Sequence, residues 1–272
     1  MRNKRVLITG GSGSIGSELV RQLSKFNKVF ILDIDETRTY DLIEFSKNIY
    51  GRVGSVCDKE TVEDVFDEFE PQIVFHAAAY KHVTPMEWYP IEAIKTNILG
   101  TYNVMKIAQK HKVEKFVFIS TDKVNSDSVM GATKRVGEKI VKNRGKGFIV
   151  VRFGNVLGSR GSVIPIWQRQ IDAGKPVTIT DPNMERFFMT IEEACDLVIK
   201  ASEMGEGGEI IILDMGSRVK ILDLAKKIID QSGRNIPIKM IGRRPGEILV
   251  EEIMSEEEKK VAVKKGRFYI IK

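Results

Sequence analysis

The sequence predicts an α/β protein, a Rossmann-type doubly wound parallel sheet followed by a smaller α/β substrate-binding lobe. Three observations carry that expectation. Short β-rich runs alternate with helical patterns through the first half. Glycines at positions 10, 13 and 16 follow the first apolar run and open a helical pattern. After about Asn155 the alternation turns irregular, broken by Gly158, Gly161, Pro165, Gly174, Pro176 and Pro182.

The elements follow in chain order. Strands are expected at residues 5–9, 29–32, 73–76, 115–119 and 148–151, each a short apolar run rich in Val, Ile and Phe. Helices are expected at 14–25, 59–69, 91–112 and 129–142. In 91–112, Ile94, Ile98, Val104, Met105 and Ala108 recur at three- and four-residue steps along much of the segment, which predicts one face packed on the sheet. Trp167 and Cys195 sit among apolar neighbours and are expected to fill core. Residues 1–154 are therefore read as a nucleotide-binding domain and 155–272 as a second lobe interwoven with it.

Composition bounds the partners. At 272 residues the chain is a little under two average domains of about 150. Its 42% hydrophobic and 29% charged residues exclude a disordered, collagen-like or disulfide-scaffold chain. The net charge of +6 arises from 43 basic against 37 acidic residues, and the only dense basic run is Lys259-Lys260 to Lys264-Lys265. No aromatic platform is interleaved with a basic patch, so nucleic acid is not an expected partner. Cys57 and Cys195 lack a second cysteine or histidine at ligand spacing, and three dispersed histidines do not make a metal site. The apolar run after the N-terminal basic residues is only Val6-Leu7-Ile8, and no stretch approaches a membrane span. A cytoplasmic, reduced protein is expected.

The glycine segment carries the first chemistry. In Thr9-Gly10-Gly11-Ser12-Gly13-Ser14-Ile15-Gly16, glycine allows a tight turn and lets backbone N–H groups approach a pyrophosphate at the positive end of the helix. Asp33 ends the next apolar run, seventeen residues beyond Gly16, where a carboxylate can accept both hydroxyls of an adenosine ribose. That carboxylate would repel a 2′-phosphate, and Ile34 follows it, so NAD is favoured over NADP. Arg38, a flexible cation five residues on, is the one group that could reach such a phosphate.

From here the residues resemble a family. The glycine pattern resembles that of extended short-chain dehydrogenase/reductases. His76-Ala77-Ala78-Ala79-Tyr80-Lys81-His82-Val83 resembles the segment after the fourth strand in their polysaccharide-biosynthesis, CapD-like branch. Further matching stretches are 95–101, Ser120-Thr121-Asp122-Lys123, 129–135, 151–159, Arg186-Phe187-Phe188-Met189-Thr190-Ile191 and Arg244-Pro245-Gly246-Glu247. The similarity runs in order from residue 5 to about 252. It departs at Met130, where the family's usual pair has a tyrosine four residues before Lys134; at Ser55-Val56, commonly an aspartate on the adenine; at Thr84; and in 125–128, which lacks the usual proline. The methionine matches part of the same branch. Relatives of that kind are often long and membrane-anchored, whereas this chain is expected to be the catalytic part alone.

The resemblance implies a nucleotide-sugar 4,6-dehydratase acting on UDP-N-acetylglucosamine with tightly bound NAD. Such an enzyme needs a base for the C4 hydroxyl, a base for the C5 proton and an acid for the C6 hydroxyl. Asp122 and Lys123, just after a strand, are the implied acid–base pair. Lys123 would need a lowered pKa and Asp122 a raised one, although adjacent opposite charges push each other the other way. Thr121 is the implied partner of the C4 oxygen and Lys134 of the nicotinamide ribose. Met130 cannot accept a proton, so the C4 base is left among water, Asp122 and a sugar-bound relay. The implied cofactor site is Gly10, Ser12, Gly13, Ser14, Ile15, Gly16, Asp33, Ser55, Val56, Ala77, Ala78, Ala79, Lys81, Asn97 and Lys134. The implied substrate site is Lys81, Thr121, Asn155, Arg160, Thr180, Arg244 and Glu247. Arg186 is read as structural. A homodimer through helices 91–112 and 129–142 is implied as well. A C4 epimerase, a C5-inverting dehydratase and a non-catalytic NAD-binding sensor or scaffold are the competing readings.

Overall fold

The computed structural model describes residues 1–272. Strands β1 (Arg5–Thr9), β2 (Lys28–Asp33), β3 (Ile49–Val53), β4 (Ile73–His76), β5 (Lys115–Thr121) and β6 (Phe148–Phe153) run parallel in the order β3-β2-β1-β4-β5-β6. Strand Ile210–Leu213 continues the parallel set beside β6, and the hairpin of Val263–Lys265 and Phe268–Ile271 closes that edge antiparallel. The order reverses between β1 and β4, so the crevice for a ligand opens there, at the C-terminal ends of the strands.

Both faces of the sheet are covered, which is why the strands are apolar throughout instead of alternating. In β1, Val6 and Ile8 pack on one face, against α1 (Ser14–Leu23) and helix Ile191–Met204, while Leu7 packs on the other. That second face is covered by α3 (Lys59–Phe69), α6 (Thr101–Lys110) and α7 (Val129–Lys142). A separate core of Trp167, Ile171, Val177, Ile179, Met184, Ile221, Ala225 and Ile229 organises the small lobe. Trp167 and Cys195 are fully buried, as expected. Strands within 210–271 join the main sheet, so the chain returns to the first lobe after building the second.

Three elements differ from expectation. Helix α2 (Glu36–Phe45) and edge strand β3 carry no periodic signal, because α2 buries only Thr39 and β3 is largely exposed. The segment 91–112 is not one helix. Short helices α4 (Val83–Trp88) and α5 (Pro90–Ala93) lead into a wider π-type turn at Ile94–Gly100, and α6 follows. The turn lets the Asn97 amide face inward, where it donates to the Tyr80 carbonyl at 3.0 Å and accepts from the Tyr80 N–H at 2.8 Å. No helix is long and apolar enough to cross a membrane.

Candidate active site

The glycine turn is built by close approach. Gly10 adopts φ +69°, and a Cβ there would lie 2.5 Å from the Ala78 nitrogen. A Cβ on Gly16 would lie 2.1 Å from the Gly10 carbonyl, so the helix α1 N-terminus can sit only on glycine. Asp33 holds the turn from β2, its two oxygens accepting the Ser12 N–H at 2.8 Å and the Asp35 N–H at 3.0 Å. Gly10, Gly13, Ser14, Ile15, Gly16, Asp33, Ser55, Val56 and Ala77–Ala79 all line one cleft of about 970 Å³. That volume is at the upper end of the ~300–1,000 Å³ of ligand pockets. A backbone cradle at a helix N-terminus, small residues opposite and a carboxylate at the end of β2 fit a dinucleotide.

Ser12 and Asn97 do not line the cleft; both are buried behind it. Asn97 instead joins Tyr80 to Thr133, whose hydroxyl accepts at 3.0 Å. A buried chain continues from there. The Thr101 hydroxyl donates to the Asn97 carbonyl at 2.7 Å, so it must accept from His76 Nε2 at 2.9 Å, which leaves His76 Nδ1 to accept from Thr9 at 2.6 Å. Burial, helped by the Lys134 cation, holds the His76 pKa down to about 3, consistent with that neutral tautomer.

The C-terminal end of β5 carries Thr121, Asp122 and Lys123. Lys123 Nζ lies 3.1 Å from Asp122 Oδ1, 3.0 Å from Asn155 Oδ1 and 3.0 Å from Glu251 Oε1. The Thr121 hydroxyl donates to Asp122 Oδ1 at 2.9 Å. Burial, reinforced by Glu251 and opposed by Lys123, pushes the Asp122 pKa up to about 6. This is the direction expected of an acid. Lys123 goes the other way from expectation: burial favours its neutral form, but Asp122 and Glu251 outweigh it and raise its pKa. Two other lysines of the cleft do have lowered pKa values: Lys134, brought to about 7 by burial against the opposing pull of Glu138, and Lys81, lowered by burial and by the Lys123 cation. Lys134 Nζ donates to the Ile119 carbonyl at 2.5 Å and lies 4.1 Å from the centre of the Phe118 ring. Met130 is buried with Met86 and Ala93 and also lines the cleft.

On the second lobe, Asn155, Thr180, Arg244 and Glu247 line the same cleft, and Lys81 reaches it from the first, donating to Ser159 Oγ at 3.2 Å. Arg160 lines it too, but its guanidinium is engaged across the glycine turn, donating to the Ser12 carbonyl and lying 3.3 Å from Asp35 Oδ2. The turn, more than the distal part of the cleft, is where that charge acts. Two residues escaped the sequence reading. Glu251 is buried, and its carboxylate receives Lys123, the Asn155 amide at 2.9 Å and Arg186 Nε at 3.1 Å. Arg186, read from sequence as structural, donates to the carbonyls of Ile248 and Leu249 and brings its Nε to 3.1 Å from that carboxylate. The buried Ser162 hydroxyl, on the cleft wall before helix Val163–Asp172, has no hydrogen-bond partner.

A family model described as polysaccharide biosynthesis protein matches residues 6–272. The capsular polysaccharide biosynthesis protein CapD of Staphylococcus aureus is 48% identical over 276 residues, covering 95% of this chain and 46% of that protein. The chain thus spans about half the length of that relative. The X-ray structure of Pen from Bacillus thuringiensis aligns with a TM-score of 0.94 at 36% identity, covering 99% of this chain and 89% of the other. The UDP-glucose 4-epimerase of Thermus thermophilus, solved in complex with NAD, aligns at 0.82 with 25% identity, covering 93% and 91%.

Proposed function

The chain belongs to the CapD-like polysaccharide biosynthesis family of extended short-chain dehydrogenase/reductases, and on that premise we propose that it is a nucleotide-sugar 4,6-dehydratase. Its substrate is UDP-N-acetylglucosamine, and its product a UDP-4-keto-6-deoxy sugar for surface glycan synthesis. The observation that carries this reading is the buried Asp122–Lys123 pair at the end of β5, in the same cleft as the glycine cradle.

The cradle residues would hold NAD, which supplies reversible hydride acceptance when bound. Asp33 favours NAD over NADP, and Lys134 would bind the nicotinamide ribose. Thr121 orients the C4 oxygen. Asp122, holding a proton, supplies it to the C6 hydroxyl so that water can leave, while Lys123, once its ammonium proton has passed to solvent water, takes the proton from C5; transfer from Lys123 to Asp122, 3.1 Å away, then resets the pair. Met130 has no ionisable group, so the C4 proton leaves by another route; as a buried thioether it keeps that side of the ring dry. Lys81, the unpartnered Ser162 hydroxyl and the N-terminus of helix Val163–Asp172 suit the diphosphate. Arg244 and Glu247 suit the uridine end.

The likeness to a UDP-glucose 4-epimerase supports a second reading, C4 epimerisation. Incubation with UDP-N-acetylglucosamine separates them. A product lighter by one water and bearing a C4 ketone is expected; a C4 epimer of unchanged mass, or no conversion by protein carrying NAD, would overturn the assignment. We also propose a homodimer. Trp88, Tyr89, Ile91, Leu99, Tyr102 and Val136 are exposed on α4 to α7, an apolar patch of the kind that marks an interface.

A further inference from the structure

Glu251 lies outside the acid–base pair and more than a hundred residues from it in sequence, yet three features tie it to that pair. Lys123 bridges both carboxylates, at 3.1 Å to Asp122 and 3.0 Å to Glu251. Asp122 Oδ2 is completely buried and no N–H or O–H donor faces it. The Glu251 carboxylate is a group within hydrogen-bonding reach of the Asp122 carboxyl. Two carboxylate oxygens are both acceptors, so they can bond only if one of them carries a proton. Which one is decided by the surroundings: Arg186 and Asn155 join Lys123 on Glu251 and stabilise its anion, whereas Asp122 has Lys123 and the Thr121 hydroxyl on one oxygen only. The site is shaped for this arrangement. A Cβ at Gly154 would stand 2.9 Å from Asp122 Oδ2, so the glycine leaves room for the carboxyl group.

We propose that Glu251 is a positioning residue of the acid–base apparatus: as an anion fixed by Arg186, Asn155 and Lys123, it accepts the hydrogen bond of the Asp122 carboxyl and keeps Asp122 in its protonated, donor form. This deepens the dehydratase reading and rests on it for the use of the proton, though not for the proton's location. The charged groups around the pair are Lys123 on its own turn, Glu251 and, behind it, Arg186; Lys81 faces Lys123 from the first lobe. Glu251 is a like charge to an ionised Asp122, and a like charge within a few ångströms raises a carboxyl pKa. Removing it must therefore let Asp122 ionise at lower pH.

The test is a pH titration of carboxyl groups by infrared spectroscopy on the NAD-loaded protein, with D122N used to assign the Asp122 band. In the wild type the protonated Asp122 band is expected to persist to near pH 6. In E251Q its midpoint should fall by about one pH unit or more, while E251D, which keeps the charge, should retain most of the wild-type value. In turnover of UDP-N-acetylglucosamine, the alkaline limb of kcat/KM should move to lower pH in E251Q by the same amount. A residue that only held the fold would lower activity without moving that limb. An unchanged Asp122 midpoint in folded E251Q would overturn the inference. If E251Q does not fold, the E251D titration decides: a midpoint fallen to that of an ordinary aspartate would contradict it. No turnover with any UDP-sugar, together with the shifted midpoint, would sink the dehydratase reading and leave Glu251 in its role.

Discussion

Lys123 is held as an ammonium between the Asp122 and Glu251 carboxyl groups, 3.1 Å and 3.0 Å from its Nζ. Removing a group that moves a proton in the transition state typically lowers a rate by about 10²–10⁴-fold. Lys123→Met is accordingly expected to lose that much of the turnover number while still carrying NAD, checked by product formation and by the bound-nucleotide content of the same sample. The Thr121-Asp122-Lys123 run and the glycine turn were legible in the sequence because each is a contiguous stretch whose chemistry is local. Glu251 and Arg186 were not, since their role is created by contacts from Lys123 to Glu251 and from Glu251 to Arg186 across long loops. The same distinction explains Lys123 itself. Adjacent Asp122 was visible as a charge that raises its pKa; the second carboxylate, which settles the direction, was not.

Elements are tied together by polar groups as much as by core. Arg152 on β6 is fully buried between Glu138 of α7 and Glu258 of helix Glu256–Val261, with Nη2–Oε2 and Nη1–Oε2 distances of 2.8 Å and 2.7 Å. Glu138 also accepts from Ser120 at the end of β5. Breaking such a pair leaves an uncompensated buried charge, so Arg152→Met should destabilise the protein by about 3–5 kcal/mol, measurable by denaturant unfolding. Helix α7 offers a second test through Lys134. Its folded pKa of about 7 is below its ordinary 10.5, so the unfolded chain binds the extra proton between those values. The contribution of Lys134 to stability therefore rises with pH from about 7 to 10.5 and is least favourable below that window. Lys134→Met removes the term: its melting temperature should gain on the wild type at pH 6 and lose that advantage by pH 9.5. The π-type turn was illegible for a related reason. The three- and four-residue periodicity of 91–112 survives in part through α5, the turn and α6, and only the inward Asn97 amide shows that the winding widens.

At the scale of the whole molecule, the +6 charge has no single partner. The basic C-terminal run lies on and beside the edge strand Val263–Lys265, where Lys264 pairs with Asp214 and exposed lysines discourage pairing with another sheet edge. The exposed apolar residues on α4 to α7 are different, since Trp88, Tyr89, Ile91, Leu99, Tyr102 and Val136 are all large and open to solvent. If they form the dimer face, Tyr102→Asp should convert a dimer to a monomer in sedimentation velocity without altering the far-ultraviolet spectrum, because Tyr102 is exposed in the single chain. The two lobes enclose one cleft that holds the cradle at one end and the Arg244–Glu247 turn at the other. The central claim is that both ends serve one sugar, oxidised at C4 and reduced at C6 without leaving that cleft. Conversion of UDP-N-acetylglucosamine deuterated at C4 tests this most directly: the account predicts the deuterium in the C6 methyl group of the product, and deuterium retained at C4 or lost to solvent would contradict it.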